Sequence, residues 1–481
     1  MQLKHLPLPL ALLVACGGRS EEPPLSITID GTKHGATNGS FDVPFLQHLL
    51  RIESTADGIE VIGGKAEPIE VSREDGVGVD VPLQVGRNEL QVTFRRGDSS
   101  QTVDLRVERK DFEKVTYVKS EQPRDSGFFG GSFDASASKF CATENTKNGY
   151  GVSVYSRDAD TWSLEHHWPV DAELGNANCH LNGDWLAVLH DSLRVSRFDS
   201  EAGEWRAAHD IEVLPNIDNQ VSASWGKNYL FVLDAAERVV LAYRVGAWSE
   251  PEATFALPAG DAPVYLSAHE DTLTTTLSDM VNDDASIVFI RKTPDGWLRD
   301  DATVTLDGAS LSAPGFVLAS STRAFMPFQE GDMEGVAQLD FSAGQWRARR
   351  VLTERNDGAP LGHVTALGVS GDLVFVSTDD SLAGTGINPP YEGYAYLSGA
   401  VFAFENMGDD YHQVAYLKTT YHLQASQLEE PRMIGELFGS LDLGHGFLAV
   451  SALNDSSKGS GIGADPEDES FTAAGALWLF E

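Results

Sequence analysis

The chain has 481 residues, room for roughly two or three domains, and its 42% apolar fraction suffices for folded cores. Its 35 basic and 72 acidic residues give a net charge of −37, and a surface this acidic repels nucleic acids and anionic lipid headgroups. Three cysteines exclude a disulfide-rich scaffold and a multi-cysteine metal site.

Residues 1–15 have the composition of an export signal. Lys4 precedes an apolar run that ends at Ala15. The run is shorter than the roughly 20 residues of a transmembrane helix but suits a signal peptide. It ends in LVACG at 13–17, which resembles the lipobox of bacterial lipoproteins. The resemblance implies cleavage before Cys16 and acylation of that cysteine, for example with palmitate. An ordinary secretory signal with a chance cysteine is the alternative.

The lipobox resemblance also implies a location. Several acyl chains on Cys16 would anchor the protein stably to a membrane, because each buried methylene contributes about 0.8 kcal/mol. Gly17 is not the acidic residue that, in some bacteria, retains lipoproteins at the inner membrane. We therefore expect a protein of the bacterial cell envelope, at the outer rather than the inner membrane. Residues 16–24 would be a polar tether.

Residues 25–109 are predicted to form a small antiparallel β-sandwich. Short runs alternate between apolar and polar residues, as at Ile59 and Val61, and turn residues separate the runs. Within 81–109, two alternating runs flank Gly97-Asp98 and predict a β-hairpin.

The same region resembles bacterial cadherin-like or immunoglobulin-like modules. Leu83, Gly86 and Asn88 precede the hairpin, and Arg109 ends it, as in those modules. The resemblance implies a spacer or adhesion arm and no catalysis.

Residues 110–481 contain a repeat of about 40–50 residues, which predicts a β-propeller. Tryptophans recur at intervals of 43, 43, 49 and 49 residues: Trp162, Trp205, Trp248, Trp297 and Trp346. Their fixed position favours packing between blades over a carbohydrate platform. An apolar strand and an alternating strand precede each tryptophan, and the pair of strands occurs twice more. The apolar strands number seven: FCAT at 140, WLAVL at 185, YLFVL at 229, TLTTT at 272, FVLAS at 316, LVFVS at 373 and FLAVS at 447.

The last unit lacks a fourth strand, whereas residues 113–119 form a spare strand before the first unit. A propeller is commonly closed by pairing such a strand with the last blade, which removes an open sheet edge. The sequence therefore predicts a seven-bladed β-propeller over 110–481, closed by an N-terminal strand.

The repeat units resemble the FG-GAP repeats of integrin-like propellers. The resemblance is strongest in the last unit, with FGS at 438–440, LAVSA at 448–452 and GALWLF at 475–480, and the first unit carries FGGS at 129–132. Many FG-GAP blades hold calcium in an Asp-x-Asp-x-Asp-Gly loop. The corresponding turns here, at 181–185, 370–373 and 444–447, contain one aspartate or none, too few for calcium.

Two long connections follow the second strands of units six and seven, and adjacent blades would place them side by side on one propeller face. Residues 379–398 contain Tyr391, Tyr394 and Tyr396, and residues 454–472 contain Asp455, Asp465, Glu467 and Asp468. We interpret them as a composite binding surface. The alternative is two solvated glycine-rich loops, which cost little stability.

Cys141 and Cys179 fall near the inner strands of neighbouring blades and could bridge in an oxidising compartment, but spacing alone does not give their separation. No nucleophile elbow, P-loop or dinucleotide motif is present. We therefore expect a non-enzymatic binding or adhesion module without a cofactor, whose partner is a protein or glycan of the envelope and not a nucleic acid. A scaffold of an envelope complex and a propeller hydrolase or lyase are the alternatives.

The acidic connection at 454–472 also suggests a calcium site. If it binds calcium in the native state, added calcium will raise the melting temperature, because a ligand of the folded form stabilises it. Thermal unfolding with and without calcium tests this, and an unchanged melting temperature would contradict it.

Overall fold

The computed structural model describes the following residues: 26–29, 32–35, 38–43, 45–47, 49–54, 56–64, 68–72, 77–97, 99–147, 149–159, 161–171, 177–189, 192–211, 223–234, 237–258, 263–277, 285–312, 317–379, 385–391, 399–408, 410–419, 438–453, 455, 457, 459–464 and 473–481. Their regular structure is entirely β-strand. No helix among them is long and apolar enough to cross a membrane.

The contacts divide the chain into two compact units. The first draws its described residues from 26–41, 49–83 and 88–107, and the second from 42–48, 84–87 and 108–481. Each unit has its own hydrophobic core.

The first unit is built on two antiparallel sheets, with strand orders β2-β1-β4-β7 and β3-β9-β8-β5-β6. Their strands are β1 (Ser26–Ile29), β2 (Thr32–Gly35), β3 (Gly39–Val43), β4 (Leu49–Ser54), β5 (Gly58–Gly63), β6 (Ile69–Ser72), β7 (Val77–Pro82), β8 (Gly86–Arg96) and β9 (Ser99–Arg109).

Alternate residues of these strands are buried, which is the pattern of a sheet with one face on a core. Leu90, Val92 and Phe94 of β8 are buried, and so are their counterparts on β9. Gly97 has a φ of 54° between the two strands, where a left-handed turn residue is needed. The predicted sandwich and hairpin are confirmed.

The second unit contains, among the described residues, seven antiparallel sheets of four or five strands. Blades one to four follow the chain: β11 (Phe133–Ser136), β12 (Lys139–Thr146), β13 (Gly149–Asp158) and β14 (Thr161–Asp171); β15 (Asn178–Asn182), β16 (Trp185–Leu189), β17 (Leu193–Asp199) and β18 (Glu204–Ile211); β19 (Ala223–Trp225), β20 (Tyr229–Asp234), β21 (Val239–Arg244) and β22 (Ala253–Ala256); β23 (Pro263–His269), β24 (Thr272–Leu277), β25 (Ala285–Thr293) and β26 (Gly296–Val304).

Blades five to seven complete the set: β27 (Ser310–Leu311), β28 (Val317–Ser320), β29 (Arg323–Glu330), β30 (Met333–Ser342) and β31 (Gln345–Leu352); β32 (Val364–Ser370), β33 (Leu373–Thr378), β34 (Ala400–Asn406) and β35 (Tyr411–Leu417); β36 (Phe438–Gly444), β37 (Phe447–Ala452), β38 (Ala476–Phe480) and, as fourth strand, β10 (Val115–Val118).

The innermost strands form a closed ring. β11 contacts β15, and the series continues through β19, β23, β28, β32 and β36, which contacts β11 again. β10 pairs antiparallel with β38, with Val115 opposite Phe480 and Val118 opposite Leu477. The unit is thus a β-propeller closed by its N-terminal strand, as predicted.

Blade five differs from the prediction in one strand. The FVLAS segment supplies the inner strand β28, whereas the second strand is β29. The apolar run of β29 at 324–328 contains Pro327, so its sequence lacks the signature of the other second strands. Pro327 has no N–H for a sheet ladder, and the inner strand is split into β27 and β28 on either side of it.

Aromatic side chains on the fourth strands, or just before them, pack against the preceding blade. Trp162 of blade one lies 4.7 Å from Phe447 of blade seven between ring centroids, and Trp346 stacks on Phe289 at 3.9 Å. Trp205, Trp248 and Trp297 make equivalent contacts. The tryptophans are therefore packing residues, as predicted.

The last two blade interfaces use other aromatic residues. In blade six, Tyr411 takes the position that tryptophan has in blades one to five. Its ring centroid lies 6.1 Å from that of Phe325 of blade five. In the seventh interface Phe45 and Phe112 lie 4.4 Å apart and pack in one cluster with Phe375 and Phe480.

Candidate functional site

Tyr391 is part of an aromatic stack in blade six. Its ring lies 4.8 Å from that of Tyr416, which stacks in turn on Phe402 at 5.0 Å. The Arg355 guanidinium lies 5.4 Å from the Tyr391 ring centroid, and Gln413 donates a hydrogen bond to its hydroxyl. Tyr391 therefore packs on the blade. Tyr394 and Tyr396 lie outside the described residues.

Residues 385–391 lie along the outer edge of their own blade. The Lys418 amide donates to the Gly386 carbonyl at 2.9 Å, and the Gly386 amide donates to Thr419 at 3.0 Å. Asn388 donates to the Tyr416 carbonyl at 2.6 Å. We call this segment the blade-six edge segment. It covers backbone groups beside β35 that would otherwise form an open sheet edge.

Residues 459–464 form the equivalent backbone hydrogen bonds along the outer edge of blade seven. The Lys119 amide donates to the Gly461 carbonyl at 3.1 Å, and the Gly461 amide donates to Ser120 at 3.2 Å. Gly463 donates to the Tyr117 carbonyl at 2.7 Å. This is the blade-seven edge segment, and it covers the edge of the closing strand β10.

The two edge segments share a sequence pattern as well as these hydrogen bonds. GTGI at 384–387 matches GSGI at 459–462, and YLKT at 416–419 matches YVKS at 117–120. An isolated bridge joins Ile387 to Leu417, and another joins Ile462 to Val118. The long connections of blades six and seven therefore contain the same structural element, a segment that is hydrogen-bonded to the end of the fourth strand.

Asp455 is buried, with 1% of its side chain exposed, and does not lie on an acidic surface. Its carboxylate is 2.5 Å from Lys119 Nζ, accepts hydrogen bonds from the Tyr117 hydroxyl at 2.7 and 2.8 Å, and accepts the Ser457 amide at 3.0 Å. The Lys119–Asp455 ion pair fixes the start of the 454–472 connection to the end of β10. Asp465, Glu467 and Asp468 lie outside the described residues.

A cavity of about 450 Å³ adjoins the blade-seven edge segment. Its lining is mainly apolar and brings together blades seven and one: Lys114, Val115, Thr116, Tyr117, Thr161, Trp162, Ile462, Gly463, Ala464 and Trp478. The edge segment thus forms one wall of a concave site, the shape that small ligands and anchoring side chains bind.

Cys141 and Cys179 form a disulfide between β12 and β15, with their Cα atoms 6.3 Å apart. It joins blades one and two covalently near the inner strands. Cys16 lies outside the described residues.

Five polar residues occupy one equivalent position on successive inner strands: Asp442, Asp134, His180, Ser224 and Ser267. We call them the inner arc. Four of these five side chains accept a backbone N–H from the next blade, at 2.6 Å for Asp442 to Ala135 and 2.8 Å for Asp134 to Leu181. The arc therefore joins neighbouring inner strands.

Within the inner arc, Asp442 and Asp134 lie on the neighbouring strands β36 and β11, and Asp442 Oδ2 accepts the amide of Ala135, the residue after Asp134. Burial raises the pKa of both carboxyls, and the neighbouring carboxyl raises that of Asp442 further. His180 Nδ1 lies 3.7 Å from Asp134, and burial lowers the His180 pKa to about 4. His180 is therefore neutral at physiological pH.

No metal centre is evident in the part of the chain that the structure describes: no three His, Cys, Asp or Glu side chains there are grouped to hold an ion. Most of the acidic residues at 454–472, where calcium was considered, lie outside the described part.

Sequence reasoning did not find Lys119, Asp134, Asp442 or His180. The signal for the two aspartates was present, since FGGSFD at 129–134 and FGSLD at 438–442 both end in aspartate. The signal for Lys119 was the match between YVKS at 117–120 and YLKT at 416–419. This match becomes visible only when β10 is aligned with β35 as the fourth strand of a blade.

No family model matches this chain, and no curated protein matches it. Solved structures similar to it include that of U3-55K, with 10% identity and a TM-score of 0.47, and the WD40 repeats of RRP9, with 11% identity and a TM-score of 0.47. Each alignment covers 76% of this chain and 98% of the other. The hydrazine synthase of Kuenenia stuttgartiensis has 12% identity and a TM-score of 0.45, over 69% of this chain and 94% of the other. These similarities carry no statement about function.

Removing one partner of the Lys119–Asp455 pair will destabilise the protein. Asp455→Ala or Lys119→Met should lower the free energy of unfolding by about 3–5 kcal/mol, because a buried charge remains without its partner. The double variant Lys119→Met/Asp455→Leu should be less destabilised than the two single effects added together. Denaturant unfolding measures all three.

Asp210→Ala is the control, because Asp210 pairs with Arg194 at the surface, with 57% and 62% of their side chains exposed. We expect it to cost about 0–1 kcal/mol. An Asp455→Ala effect no larger than this would contradict the role assigned to the buried pair.

Proposed function

We propose that this protein is a lipid-anchored binding module of the bacterial cell envelope, which holds a protein or glycan on the propeller face where the long connections of blades six and seven lie. The observation that carries the proposal is the pair of edge segments. Both fix the course of a long connection by the same backbone hydrogen bonds in adjacent blades. Loops held in place before binding lose less conformational entropy on binding.

The blade-seven edge segment adds a second argument. It walls the cavity of about 450 Å³ and leads directly into the connection with Asp465, Glu467 and Asp468. A partner that places an apolar group in the cavity and basic groups beside it would complement both features. An acidic partner such as a nucleic acid would be repelled by a chain of net charge −37.

The proposed role is non-enzymatic and needs no cofactor. The hydrolase or lyase alternative requires acid and base groups that are free to reach a substrate. Asp134 and Asp442, two titratable groups of the inner arc, instead accept backbone hydrogen bonds between blades. The scaffold alternative places partners on the blade rims. Affinity capture with a variant that lacks the long connections distinguishes the scaffold from the binding module.

The envelope location rests on the lipobox resemblance at Cys16, and the adhesion role on the FG-GAP and cadherin-like resemblances. We favour the outer membrane because Gly17 is not acidic.

Cys16→Ser tests the anchor. In the expressing bacterium we expect loss of labelling by a palmitate analogue and a shift of the protein from the membrane fraction to the soluble envelope fraction, because the acylated residue is gone. The wild-type chain is the positive control. A variant that stays membrane-bound would show that the chain is not held by a lipid on Cys16.

The binding face is tested by affinity capture from envelope extracts with a chain that begins after Cys16. One variant replaces 392–398 and 465–472 with glycine-serine linkers of equal length and leaves both edge segments intact. We expect partners of the intact protein to be lost, with the melting temperature unchanged because the edge segments remain. Rebinding of each purified partner should show the same loss.

The matched control variant carries substitutions at the opposite end of blades six and seven. Because consecutive strands are antiparallel, the β34–β35 and β36–β37 connections leave the sheets at the end opposite to the long connections. Met407→Ser/His445→Ser should keep the partners. A partner that the linker variant retains and this control loses would overturn the proposed binding face. A partner that both variants retain would favour binding at the blade rims and the scaffold role.

A further inference from the structure

Phe128 is an exposed phenylalanine in the connection between β10 and β11. Its neighbour Phe129 is fully buried and packs in a core cluster shared by blades seven and one, together with Phe447 and Leu477. Phe128 lies outside that cluster, and 38% of its surface is exposed. The core between these two blades therefore uses the ring of Phe129 and not that of Phe128.

The backbone at Phe128 has a conformation that disfavours a large side chain. Its φ is 46°, in the left-handed region, which glycine adopts freely and in which a residue with a Cβ atom is strained. Eight other non-glycine residues of the described part have a positive φ, and all are small or polar: Ser126, Ala137, Ala159, Arg238, Glu270, Ala343, Asn388 and Ala473. Glycine at 128 would thus satisfy the local fold with less strain.

Hydrogen bonds hold Phe128 at the end of the propeller where the long connections lie. Its amide donates to the Ala473 carbonyl at 3.1 Å, and the Phe129 amide donates to Ala474 at 2.9 Å. These two alanines directly follow the 454–472 connection and precede β38. The Phe128 carbonyl accepts the Gly131 amide at 2.9 Å. An exposed side chain on a backbone fixed in this way loses little conformational entropy when it binds.

The charged groups of the same connection are mainly acidic. Glu121 and Asp125 are exposed, and the Glu121 carboxylate lies beside Gly461 of the blade-seven edge segment. Arg124 is half-buried, and its Nε donates to the Asp125 carbonyl at 3.4 Å. The chain as a whole carries a net charge of −37. A partner that contacts Phe128 is therefore complementary when basic side chains surround the contact.

We propose that Phe128 is the anchor of the binding face and inserts into an apolar pocket of a partner protein whose rim carries lysine or arginine. The inference rests on the proposed function for its choice of face. Strained residues persist where the surrounding structure fixes them, and they cluster at binding sites. An exposed ring on a turn is complemented by a concave apolar pocket, which a folded protein supplies and an oligosaccharide chain does not.

The stability of Phe128→Gly tests whether the ring serves the fold. We expect a melting temperature equal to or above that of the wild type, because the variant loses backbone strain and no core contact. Phe129→Ala is the matched control at the next residue and should lower the melting temperature strongly, because it leaves a cavity in the core. A clear drop for Phe128→Gly would show that the ring packs in the fold and would overturn the proposal.

Photocrosslinking in the expressing bacterium tests the contact itself. With p-benzoylphenylalanine in place of Phe128, we expect a light-dependent adduct with a protein, and mass spectrometry should locate the linkage near lysine or arginine. The same photoreactive residue in place of Leu298, which is 49% exposed on the outer strand β26 of blade four, should not give this adduct. No adduct at 128, an adduct with a glycan, or the same adduct at both positions would overturn the proposal.

The crosslinked protein, once purified, provides the probe for affinity. Phe128→Gly should weaken its binding about 30-fold, the loss typical of an interface hot spot, and Leu298→Ser should leave the affinity unchanged. An unchanged affinity for Phe128→Gly would overturn the proposal.

The variant with linkers at 392–398 and 465–472 separates this inference from the proposed function. A partner that the linker variant loses and Phe128→Gly keeps would leave the proposed face in place and exclude the anchor. A partner that Phe128→Gly loses and the linker variant keeps would support the anchor and exclude a role for the long connections. Retention by both variants would overturn both proposals.

Discussion

Closure of the ring by strand β10 is the constraint on which the propeller depends. Each blade buries both faces only between two neighbours, so second strands such as β33 and β37 are buried along their whole length. A ring left open would expose such a face on two blades at once. β10 completes blade seven by pairing with β38 and thereby joins the chain upstream of blade one to the last blade.

The interactions that support this closure are polar and specific. The last side chain, Glu481, lies 2.9 Å from Lys114 and 3.0 Å from Arg157 of blade one, and it accepts Trp162 Nε1 at 3.2 Å. The Lys119–Asp455 pair secures the far end of β10, and Asp442 reaches blade one at the inner ring. Buried polar groups of this kind add little net stability but penalise any other pairing of the strands.

The long connections of blades six and seven have a structural role in the propeller, whatever partner the proposed binding face takes. Their edge segments cover strand edges that would otherwise invite pairing with another chain. The same hydrogen bonds fix where the rest of each connection begins. Tyr391 and Asp455 belong to the fixed part, because Tyr391 stacks on Tyr416 and Asp455 is buried against Lys119.

The sequence by itself determined the all-β class, the sandwich hairpin, the repeat and the closing strand, because strand periodicity and evenly spaced tryptophans are local or regular signals. It failed at β29, where Pro327 lies within the apolar run, and it did not reveal Tyr411, Phe45 and Phe112 as substitutes for tryptophan. Only the tertiary structure decided that Asp455 is buried against Lys119, that Cys141 and Cys179 are bonded, and that Asp442 accepts the amide of Ala135. The reason is physical: the partners in the ion pair and in the Asp442–Ala135 hydrogen bond are more than 300 residues apart in the chain, and ring closure brings them together where no local pattern can encode the contact.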